Sequence, residues 1–307
     1  MKILVTGRIG QVAWELRRTL ACLGEVVALE RGSTPLSLDL ADADSIRLAV
    51  QTVKPQLIVN AAAYTAVDKA EQNFELAHAV NATALSFLAE EAKRVGAGII
   101  HYSTDYIFPG NACTPYLETD RTGPQGVYGA SKLAGEQAII DSGIPHYILR
   151  TAWVYGNRGG NFLLTMLRLL RERELLRVVD DQIGSPTWSR LIAEATTVVI
   201  AQSVQKDRFA PGGKSGIYHL TCGGQTSWFD FAQAIRAAGI ASGLLPETCA
   251  RIEPIPSSEY PTPAKRPAYS VLNNDKLAEV FGLRLPHWQE ALELCLAEAG
   301  RGSLPLS

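Results

Sequence analysis

The stretch VTGRIGQVAWEL (residues 5–16) places two glycines directly after the first apolar run of the chain. Gly7 and Gly10 allow a tight turn, and a helix that starts at Gln11 brings free backbone N–H groups and the positive end of a helix dipole to that turn. Ala13 stands where a GxxGxxG pattern has its third glycine, a position that mainly governs helix–strand packing and can accommodate a methyl group. The stretch predicts a strand, a phosphate-binding turn and a helix, which is typical of a dinucleotide-binding fold.

An acidic residue follows this turn at the spacing that dinucleotide-binding folds use. Glu30 ends the second apolar run, EVVALE (25–30), about 20 residues after the turn. A carboxylate there accepts hydrogen bonds from the ribose hydroxyls of an adenosine. The neighbouring Arg31 would instead pair with a 2′-phosphate, or lie in solvent as an ordinary turn cation. These two residues leave the choice between NADH and NADPH open.

Short apolar runs alternate with longer amphipathic segments through the first half of the chain. This alternation indicates βαβ units on a parallel sheet whose two faces are covered by helices. Strands are predicted at 2–6, 25–30, 35–40, 56–63, 98–103 and 146–155, and helices at 11–22, 42–52, 69–95 and from Tyr128 onward. We therefore predict an α/β protein with a Rossmann-type doubly wound parallel sheet.

The second half of the chain is predicted to form a smaller C-terminal α/β substrate-binding region. Helices are expected at 161–172 and 189–202 and a strand near 217–221, followed by a loop-rich tail. In that tail, PIPSSEYPTPAKRP (254–267) holds five prolines and is predicted to be an irregular loop laid over a surface. We place the NAD(P)-binding domain mainly within 1–155 and the substrate-binding region mainly within 156–307, with some segments returning to the Rossmann core.

Composition bounds the possible partners and the compartment. The 307 residues carry 29 Lys plus Arg against 31 Asp plus Glu, so the net charge of -2 gives no general reason to expect nucleic acid or an anionic membrane as a partner. The five cysteines are scattered, without the spacing of a disulfide framework or a zinc site. No signal sequence and no long apolar segment is evident. We expect a cytoplasmic protein of enzyme size.

Polar residues follow a strand in the middle of the predicted sheet. HYSTDYIF (101–108) brings Ser103, Thr104 and Asp105 to the carboxyl end of that strand. Ligands bind at this end of the strands in open α/β sheets. These side chains are therefore candidates for contact with a bound substrate.

A tyrosine and a lysine share one face of the next predicted helix. In YGASKLAGEQ (128–137), Tyr128 stands four residues before Lys132, so both side chains project from the same face one turn apart. Pairs of this kind also occur on ordinary amphipathic helices, and the spacing alone is weak evidence. The glycine turn, Thr104 and this Tyr–Lys pair follow one another in the chain, and the three signals in this order are much more specific than any one of them.

These three signals, in this order, resemble the extended short-chain dehydrogenase/reductases. The resemblance narrows to the dTDP-4-dehydrorhamnose reductase family along essentially the whole chain. It is carried by GQVAWEL (10–16), VNAAAYTAVDKAE (59–71), HYSTDYIFPG (101–110), VYGASKLAGE (127–136), RTAWVYG (150–156), DDQIGSPT (180–187) and YPTPAKRP (260–267). Such enzymes use NADH or NADPH to reduce the C4 ketone of dTDP-4-dehydro-6-deoxy-L-mannose, which yields dTDP-L-rhamnose for bacterial polysaccharides.

The resemblance implies a catalytic role for three residues. Tyr128 is expected to donate the proton to the ketone oxygen. Since a free tyrosine has a pKa of about 10, the charge of Lys132 is expected to favour the phenolate in the reverse direction, and the lysine also binds the nicotinamide ribose. Thr104 is expected to hydrogen-bond near the tyrosine and the substrate oxygen.

The resemblance also implies a row of cofactor contacts along the strand ends. They are Gly7, Gly10, Gln11 and Val12 at the phosphates, Glu30 at the adenosine ribose, Asp39 and Leu40 at the adenine, Ala62, Ala63 and Thr65 at the middle of the dinucleotide, and Tyr128 and Lys132 at the nicotinamide end. Outside this context, Asp39 would simply cap the following helix, and Ala62 and Ala63 would be small packing residues.

Substrate contacts are implied for the remaining motif residues. Besides Thr104, Asp105 and Trp153 match positions that contact the sugar, although a lone tryptophan is more often a core residue. Lys265 and Arg266 could pair with the diphosphate of a nucleotide sugar, or form a solubilising loop pair. The substrate expected from the resemblance is a dTDP-4-keto-6-deoxyhexose.

A metal site is not assigned. Some members of the family dimerise through a magnesium ion held by glutamates, and Glu15 matches one such position. Arg190 stands in the region where another glutamate is expected, and a cation there would oppose the metal. We expect a homodimer formed by other contacts. Asn81 is expected to hold backbone groups near the sheet rather than to touch substrate.

Two alternatives remain at this stage. One is another nucleotide-sugar enzyme of the same fold, an epimerase or a dehydratase with tightly held NAD⁺. A dehydratase would require a carboxylate pair beside the threonine, whereas Thr104 is followed by Asp105 and Tyr106. The other is a non-catalytic regulatory subunit that resembles these reductases, against which the intact Tyr128 and Lys132 argue.

Overall fold

A computed structural model describes residues 1–301 of the chain. The strands are β1 (Lys2–Thr6), β2 (Glu25–Leu29), β3 (Leu57–Asn60), β4 (Gly98–Thr104), β5 (His146–Thr151), β6 (Val154–Tyr155), β7 (Leu175–Val179), β8 (Ile183–Gly184), β9 (Thr187–Trp188), β10 (Val204–Gln205), β11 (Arg208–Phe209), β12 (Gly216–His219), β13 (Thr226–Ser227) and β14 (Arg251–Ile255). The helices are α1 (Gln11–Thr19), α2 (Ala43–Val53), α3 (Val67–Ala70), α4 (Phe74–His78), α5 (Ala84–Val95), α6 (Val127–Ser142), α7 (Phe162–Glu172), α8 (Ser189–Ala201), α9 (Trp228–Ala241), α10 (Asp275–Phe281) and α11 (Trp288–Arg301).

The central element is a six-stranded parallel sheet in the order β12-β5-β4-β3-β1-β2. The strand order reverses direction between β1 and β3, because β2 lies on one side of β1 and β3 lies on the other. In an open parallel sheet such a switch point forms a crevice at the carboxyl ends of the strands, where ligands bind. The glycine turn after β1 and the loop after β3 both begin there.

Alternate residues of the sheet strands pack against helices on opposite faces. Leu4, Ile58 and Ile99 belong to a core cluster with α2 and α5, whereas Ile3 and Val59 belong to a cluster with α1 and α8. Burying each such side chain stabilises the fold by about 1.5–3 kcal/mol. The α/β prediction is confirmed. The domain boundary near residue 155 stays a prediction, and β12 pairs with β5 in the main sheet.

The prediction of a strand at residues 35–40 is wrong, because this segment forms no regular strand in the structure. Pro35 cannot donate a ladder hydrogen bond. Side chains also take backbone N–H groups in and around the segment: Gly32 donates to the Ser37 hydroxyl and Asp39 to the Ser45 hydroxyl. The sheet therefore ends at β2.

The single long helix predicted over 69–95 is interrupted. It consists of α3, a break, α4, a π-helical turn (Ala79–Thr83) and α5. Asn81 lies in that turn, where its side chain accepts a hydrogen bond from Tyr64 N and donates to Tyr64 O and to Ser131. The expectation that Asn81 holds backbone groups is confirmed.

The tail is more regular than expected. It contains α9, α10 and α11, and β14 overlaps the start of the Pro-rich run and pairs with β7. Helix α9 begins at a signal present in the sequence: Ser227 caps the helix by accepting a hydrogen bond from Asp230 N. Phe231 and Ile235 then bury one face of α9 against a second core built largely from the C-terminal half. No helix within residues 1–301 is long and apolar enough to span a membrane.

Candidate active site

The turn after β1 has the geometry that a dinucleotide phosphate requires. Gly7 has a φ of +91°, which favours glycine, and its N–H donates to Leu29 O at 2.7 Å, which fixes the turn against β2. A Cβ at Gly7 would lie 3.4 Å from the Cβ of Ala13, while one at Gly10 would meet no atom within 4 Å. The backbone is therefore open to close approach of a ligand at Gly10.

The start of α1 leaves backbone donors available to an anion. No side chain caps this helix, whose N-cap residue is Gly10, and the first N–H groups belong to Gln11 and Val12. Glu30 lies on the other side of the turn, where its carboxylate accepts a hydrogen bond from Arg8 N at 3.0 Å. A phosphate-binding turn with an acid at its β2 side fits an NAD(P) cofactor.

The other predicted cofactor residues follow the edge of the same crevice. Asp39 Oδ1 accepts a hydrogen bond from Ala41 N at 2.9 Å, and Leu40 is buried in the core. Asp42, not Asp39, caps α2. Ala62, Ala63 and Thr65 lie in the loop after β3, and the N–H of Ala62 donates to the Thr6 hydroxyl at 3.1 Å.

The candidate proton donor lies at the start of α6. Tyr128 is half-buried, and burial raises its pKa to about 12 against a smaller opposing effect of the Thr104 hydroxyl, while the charge of Asp105 raises it further. The phenol is therefore protonated at neutral pH, as a proton donor must be. Tyr106 packs edge-on against Tyr128, with ring centroids 5.6 Å apart.

Lys132 lies one turn after Tyr128 in α6, and its side chain is buried. Its Nζ donates to the carbonyl of Tyr102 at 2.5 Å and lies 3.2 Å from Nε2 of His101. Burial lowers the pKa of Lys132 to about 7, opposed by the charge of Glu136. The effect of the lysine charge on the Tyr128 phenol stays a prediction, and burial is the largest cause of the upward shift of the Tyr128 pKa.

A buried carboxyl group completes the reactive end of the site. Asp105 Oδ1 accepts a hydrogen bond from the Thr104 hydroxyl at 3.0 Å, and Thr104 in turn accepts one from Tyr106 N. Among the described residues, Asp105 Oδ2 and the Ser103 hydroxyl are buried without a partner. Burial raises the pKa of Asp105 to about 6, opposed by its hydrogen bonds. Buried polar atoms without partners are rare, and these two lie at the carboxyl end of β4, where ligands bind in open parallel sheets.

Trp153, which follows the carboxyl end of β5, adopts a strained backbone conformation. Its φ is 45°, and its ring stacks face to face on Trp228, with centroids 3.4 Å apart and planes 3° apart. The ring also lies against Gly184. A Cβ added to Gly184 would lie 2.4 Å from Cε2 of Trp153. Residues with positive φ cluster at functional sites.

The two cations of the Pro-rich run already have partners. Arg266 forms an ion pair with Asp68, with nitrogen–oxygen distances of 3.0 and 2.7 Å, and Lys265 Nζ lies 3.2 Å from the side-chain oxygen of Gln125. Their pairing with a substrate diphosphate stays a prediction. For Arg266 it requires the guanidinium to share its donors between Asp68 and the ligand.

The residues considered for magnesium form ion pairs. Glu15 accepts from Arg18 at 2.5 Å, and Arg190 lies between Glu194 and Glu298. Within residues 1–301, no group of three or more His, Cys, Asp or Glu side chains could hold a metal ion.

Some residues of the site could not be identified from the sequence. Tyr106, Asp68 and Trp228 each touch a predicted site residue, and His101 contacts Lys132. Asp68 and Tyr106 do lie within the quoted family motifs. His101 also lies within one of them, as the first residue of HYSTDYIFPG (101–110).

The Rossmann-type sheet, the glycine turn and the Thr104, Tyr128 and Lys132 arrangement define a nicotinamide-dependent oxidoreductase of the short-chain class. The family model described as RmlD substrate binding domain matches residues 1–301, and the chain belongs to that family. The dTDP-4-dehydrorhamnose reductase of Burkholderia thailandensis is 50% identical over 299 residues, which cover 97% of this chain and 99% of that protein. The protein of the same name from Escherichia coli K12 is 45% identical, with 97% and 98% covered.

Solved structures agree with these matches. A dTDP-4-dehydrorhamnose reductase from Clostridium acetobutylicum superposes with a TM-score of 0.86 at 37% identity, covering 97% of this chain and 99% of that one. One from Bacillus anthracis, solved in complex with NADP, gives a TM-score of 0.83 at 33% identity, with 97% and 99% covered. The family resemblance carried by the motifs is confirmed, as is the prediction of an NAD(P)-dependent oxidoreductase.

Proposed function

We propose that the protein reduces the C4 ketone of dTDP-4-dehydro-6-deoxy-L-mannose to give dTDP-L-rhamnose, with Tyr128 as the proton donor. The observation that carries this proposal is the position of the Tyr128 phenol beside Thr104 and the buried Asp105, at the carboxyl end of β4, where burial raises the pKa of the phenol. The names of the relatives indicate the sugar substrate, and the geometry of the site indicates Tyr128 as the acid.

The chain's residues perform the proton transfer. As the ketone oxygen gains negative charge, Tyr128 donates its phenolic proton to it, and the Thr104 hydroxyl orients the oxygen. General acid catalysis of this kind contributes roughly 10²- to 10⁴-fold, and alignment of the reactants supplies much of the remainder. Asp105 Oδ2 and the Ser103 hydroxyl, both buried without a partner, are available to sugar hydroxyls.

The cofactor would be held by the turn and the strand ends. Gly10, Gln11 and Val12 would bind its phosphates, Glu30 its adenosine ribose, and Lys132 its nicotinamide ribose. Gly7 shapes the turn. The remaining part of the cofactor-binding crevice would be lined by Asp39, Leu40, Ala62, Ala63 and Thr65. When bound, the reduced nicotinamide supplies the hydride.

The substrate would lie across the opening of the crevice. Trp153 and Asp105 would contact the sugar, and Lys265 and Arg266 its diphosphate. The five cysteines are free thiols, in keeping with the cytoplasmic location that we propose. The homodimer stays a prediction, which sedimentation of the purified protein would test.

Loss of nicotinamide absorbance tests the reaction. The purified protein would be mixed with NADPH or NADH and dTDP-4-keto-6-deoxyglucose, with and without a 3,5-epimerase that produces the L-configured ketone. We expect oxidation of the cofactor only when the epimerase is present. Cofactor binding without turnover under both conditions would contradict the proposal and favour another keto sugar or a non-catalytic partner role.

Replacement of Tyr128 by phenylalanine tests the assignment of the acid. We expect nearly unchanged NADPH affinity and a loss of turnover of roughly 10²- to 10⁴-fold, because only the proton donor is removed. Tyr218→Phe is the matched control, since it removes a tyrosine hydroxyl that donates to Lys214 O and is not part of this site. Wild-type turnover by Tyr128→Phe would show that another group donates the proton.

A further inference from the structure

A row of buried polar side chains crosses the sheet beneath the cofactor turn. Thr6, Asn60 and His101 are direct neighbours on β1, β3 and β4, and each is about 1% exposed. They follow the buried Leu4, Ile58 and Ile99 by two residues, so alternation places them on the same face of the sheet. Helix α6, which carries Lys132, packs against β4.

These side chains form a continuous hydrogen-bond chain that ends at Lys132. The Thr6 hydroxyl lies 2.5 Å from Asn60 Oδ1, Asn60 Nδ2 lies 3.0 Å from His101 Nδ1, and His101 Nε2 lies 3.2 Å from Lys132 Nζ. At the other end, Ala62 N donates to the Thr6 hydroxyl at 3.1 Å. The chain thus joins the loop after β3 to the lysine of the reactive site.

Lys132 lacks a free carboxylate as a partner. The nearest acid on its helix, Glu136, holds the guanidinium of Arg150 through both of its oxygens, at 3.0 and 2.7 Å. A buried lysine requires hydrogen-bond partners of some kind. Here they are the carbonyl of Tyr102 and the ring of His101.

We propose that His101 is a positioning residue for Lys132, held by Asn60 in the tautomer that carries its proton on Nε2. This inference rests on the proposed function, in which Lys132 binds the nicotinamide ribose. It also adds a link between the cofactor loop at Ala62 and the position of the lysine nitrogen.

The placement of the Asn60 amide indicates the tautomer, because its nitrogen faces His101 Nδ1 and can only donate. Ala62 N–H donates to Thr6, the Thr6 hydroxyl donates to Asn60 Oδ1, and the Asn60 amide N–H donates to His101 Nδ1. The ring proton of a neutral imidazole then stays on Nε2, where it faces Lys132. Burial holds the pKa of His101 well below its usual value, which keeps the ring neutral. Lys132, whose pKa burial lowers to about 7, accepts a hydrogen bond from the ring in its amine form and donates one to the carbonyl of Tyr102.

Nitrogen-15 NMR of the imidazole tests the tautomer in the full-length protein. The His101 signals are identified by their loss in His101→Gln. We expect a protonated Nε2 and an unprotonated Nδ1 in the wild type. Asn60→Asp offers only acceptors toward the ring, so it should move the proton to Nδ1. A protonated Nδ1 in the wild type, or no change of tautomer in Asn60→Asp, would overturn the proposal.

Kinetics and cofactor affinity test the positioning role. His101→Phe should lower kcat and weaken NADPH binding, with losses of up to the order of 10²-fold, because a misplaced group forfeits alignment. His101→Gln keeps an N–H near the position of Nε2 and should recover most of the loss. Tyr147→Phe is the matched control, since it removes a buried hydrogen bond to Ser203 from the opposite face of the sheet.

The outcomes separate this proposal from the proposed function. Wild-type kcat and NADPH affinity in His101→Phe would overturn the positioning role. If the wild type does not reduce the keto sugar, the proposed function fails. NADPH affinity and the imidazole tautomer would still decide whether His101 positions Lys132.

Discussion

Arg266 and Asp68 join the C-terminal Pro-rich run to the segment that follows β3, through an ion pair with nitrogen–oxygen distances of 3.0 and 2.7 Å. The hydrogen bond from Arg266 holds the pKa of Asp68 below its usual value, against a smaller effect of burial. Ala264 N also donates to Asp68. The run is therefore fastened at the edge of the proposed substrate site, and its guanidinium has a fixed direction before substrate binds.

Removal of this guanidinium tests whether it binds the substrate diphosphate. Arg266→Met should raise the KM for the nucleotide sugar about 10-fold or more and change kcat less, because a charge-assisted hydrogen bond contributes about 1.5–3 kcal/mol. Arg284→Met is the control, since Arg284 also pairs with an aspartate, Asp275, but is exposed. Equal KM values in the two variants would remove Arg266 from the binding site.

Asp105 should lower the stability of the folded protein at neutral pH. Its folded pKa of about 6 lies above the unfolded value of about 3.9, so the folded state favours the protonated form. The stability gained from the bound proton is fully present below about pH 4 and is lost as the pH rises through about 6.

Asp105→Asn should therefore stabilise the protein at pH 7 by on the order of 2 kcal/mol, with little gain near pH 4, while the KM for the sugar rises. Urea unfolding at both pH values measures the difference. Asp141→Asn, at an exposed position, is the control. A gain that does not depend on pH would contradict the role assigned to the buried carboxylate.

Glu30 should control the choice of cofactor. Its carboxylate lies at the turn, bonded to Arg8 N, and a negative charge beside the adenosine ribose disfavours a 2′-phosphate. Glu30→Ala should therefore shift the ratio of kcat/KM toward NADPH over NADH by about 10-fold, equivalent to about 1.4 kcal/mol. Glu25→Ala, at the exposed start of β2, should leave the ratio unchanged. An unchanged ratio in Glu30→Ala would place the ribose elsewhere.

A single methyl group should displace Trp153. In Gly184→Ala the new Cβ would lie 2.4 Å from the Trp153 ring, which cannot retreat because Trp228 stacks on it. We expect the KM for the sugar to rise and NADPH affinity to stay unchanged. Gly160→Ala meets no atom within 4 Å and is the control. If Gly184→Ala binds the sugar normally, Trp153 is a packing residue, as a tryptophan in isolation would suggest.

The sequence was sufficient for features that depend on local pattern. The strands β1, β3 and β4 were predicted because they are short apolar runs bounded by helices, and α6 begins one residue before Tyr128. The start of α9 at Ser227 could also have been found, because its capping residue and apolar spacing are local.

Contacts between distant segments could not be predicted. His101 contacts Asn60 because β3 and β4 pair in one particular register, and no local sequence pattern predicts that register. The pairing of Arg266 with Asp68 joins residues 198 positions apart. The pKa of Tyr128 depends chiefly on burial of its phenol, which the whole fold determines and no local pattern predicts.

The segment 31–40 is tied down by serine side chains instead of by strand pairing, and it lies beside β2, the last strand of the sheet. Substitutions or insertions there would leave every ladder hydrogen bond of the sheet intact. The adenosine end of the crevice can therefore vary in evolution or by engineering independently of Tyr128, Lys132 and Thr104. Cofactor preference and reaction chemistry are in this sense separable traits of the fold, and a library confined to Glu30 and these ten positions could exchange one nicotinamide cofactor for the other without redesign of the reaction centre.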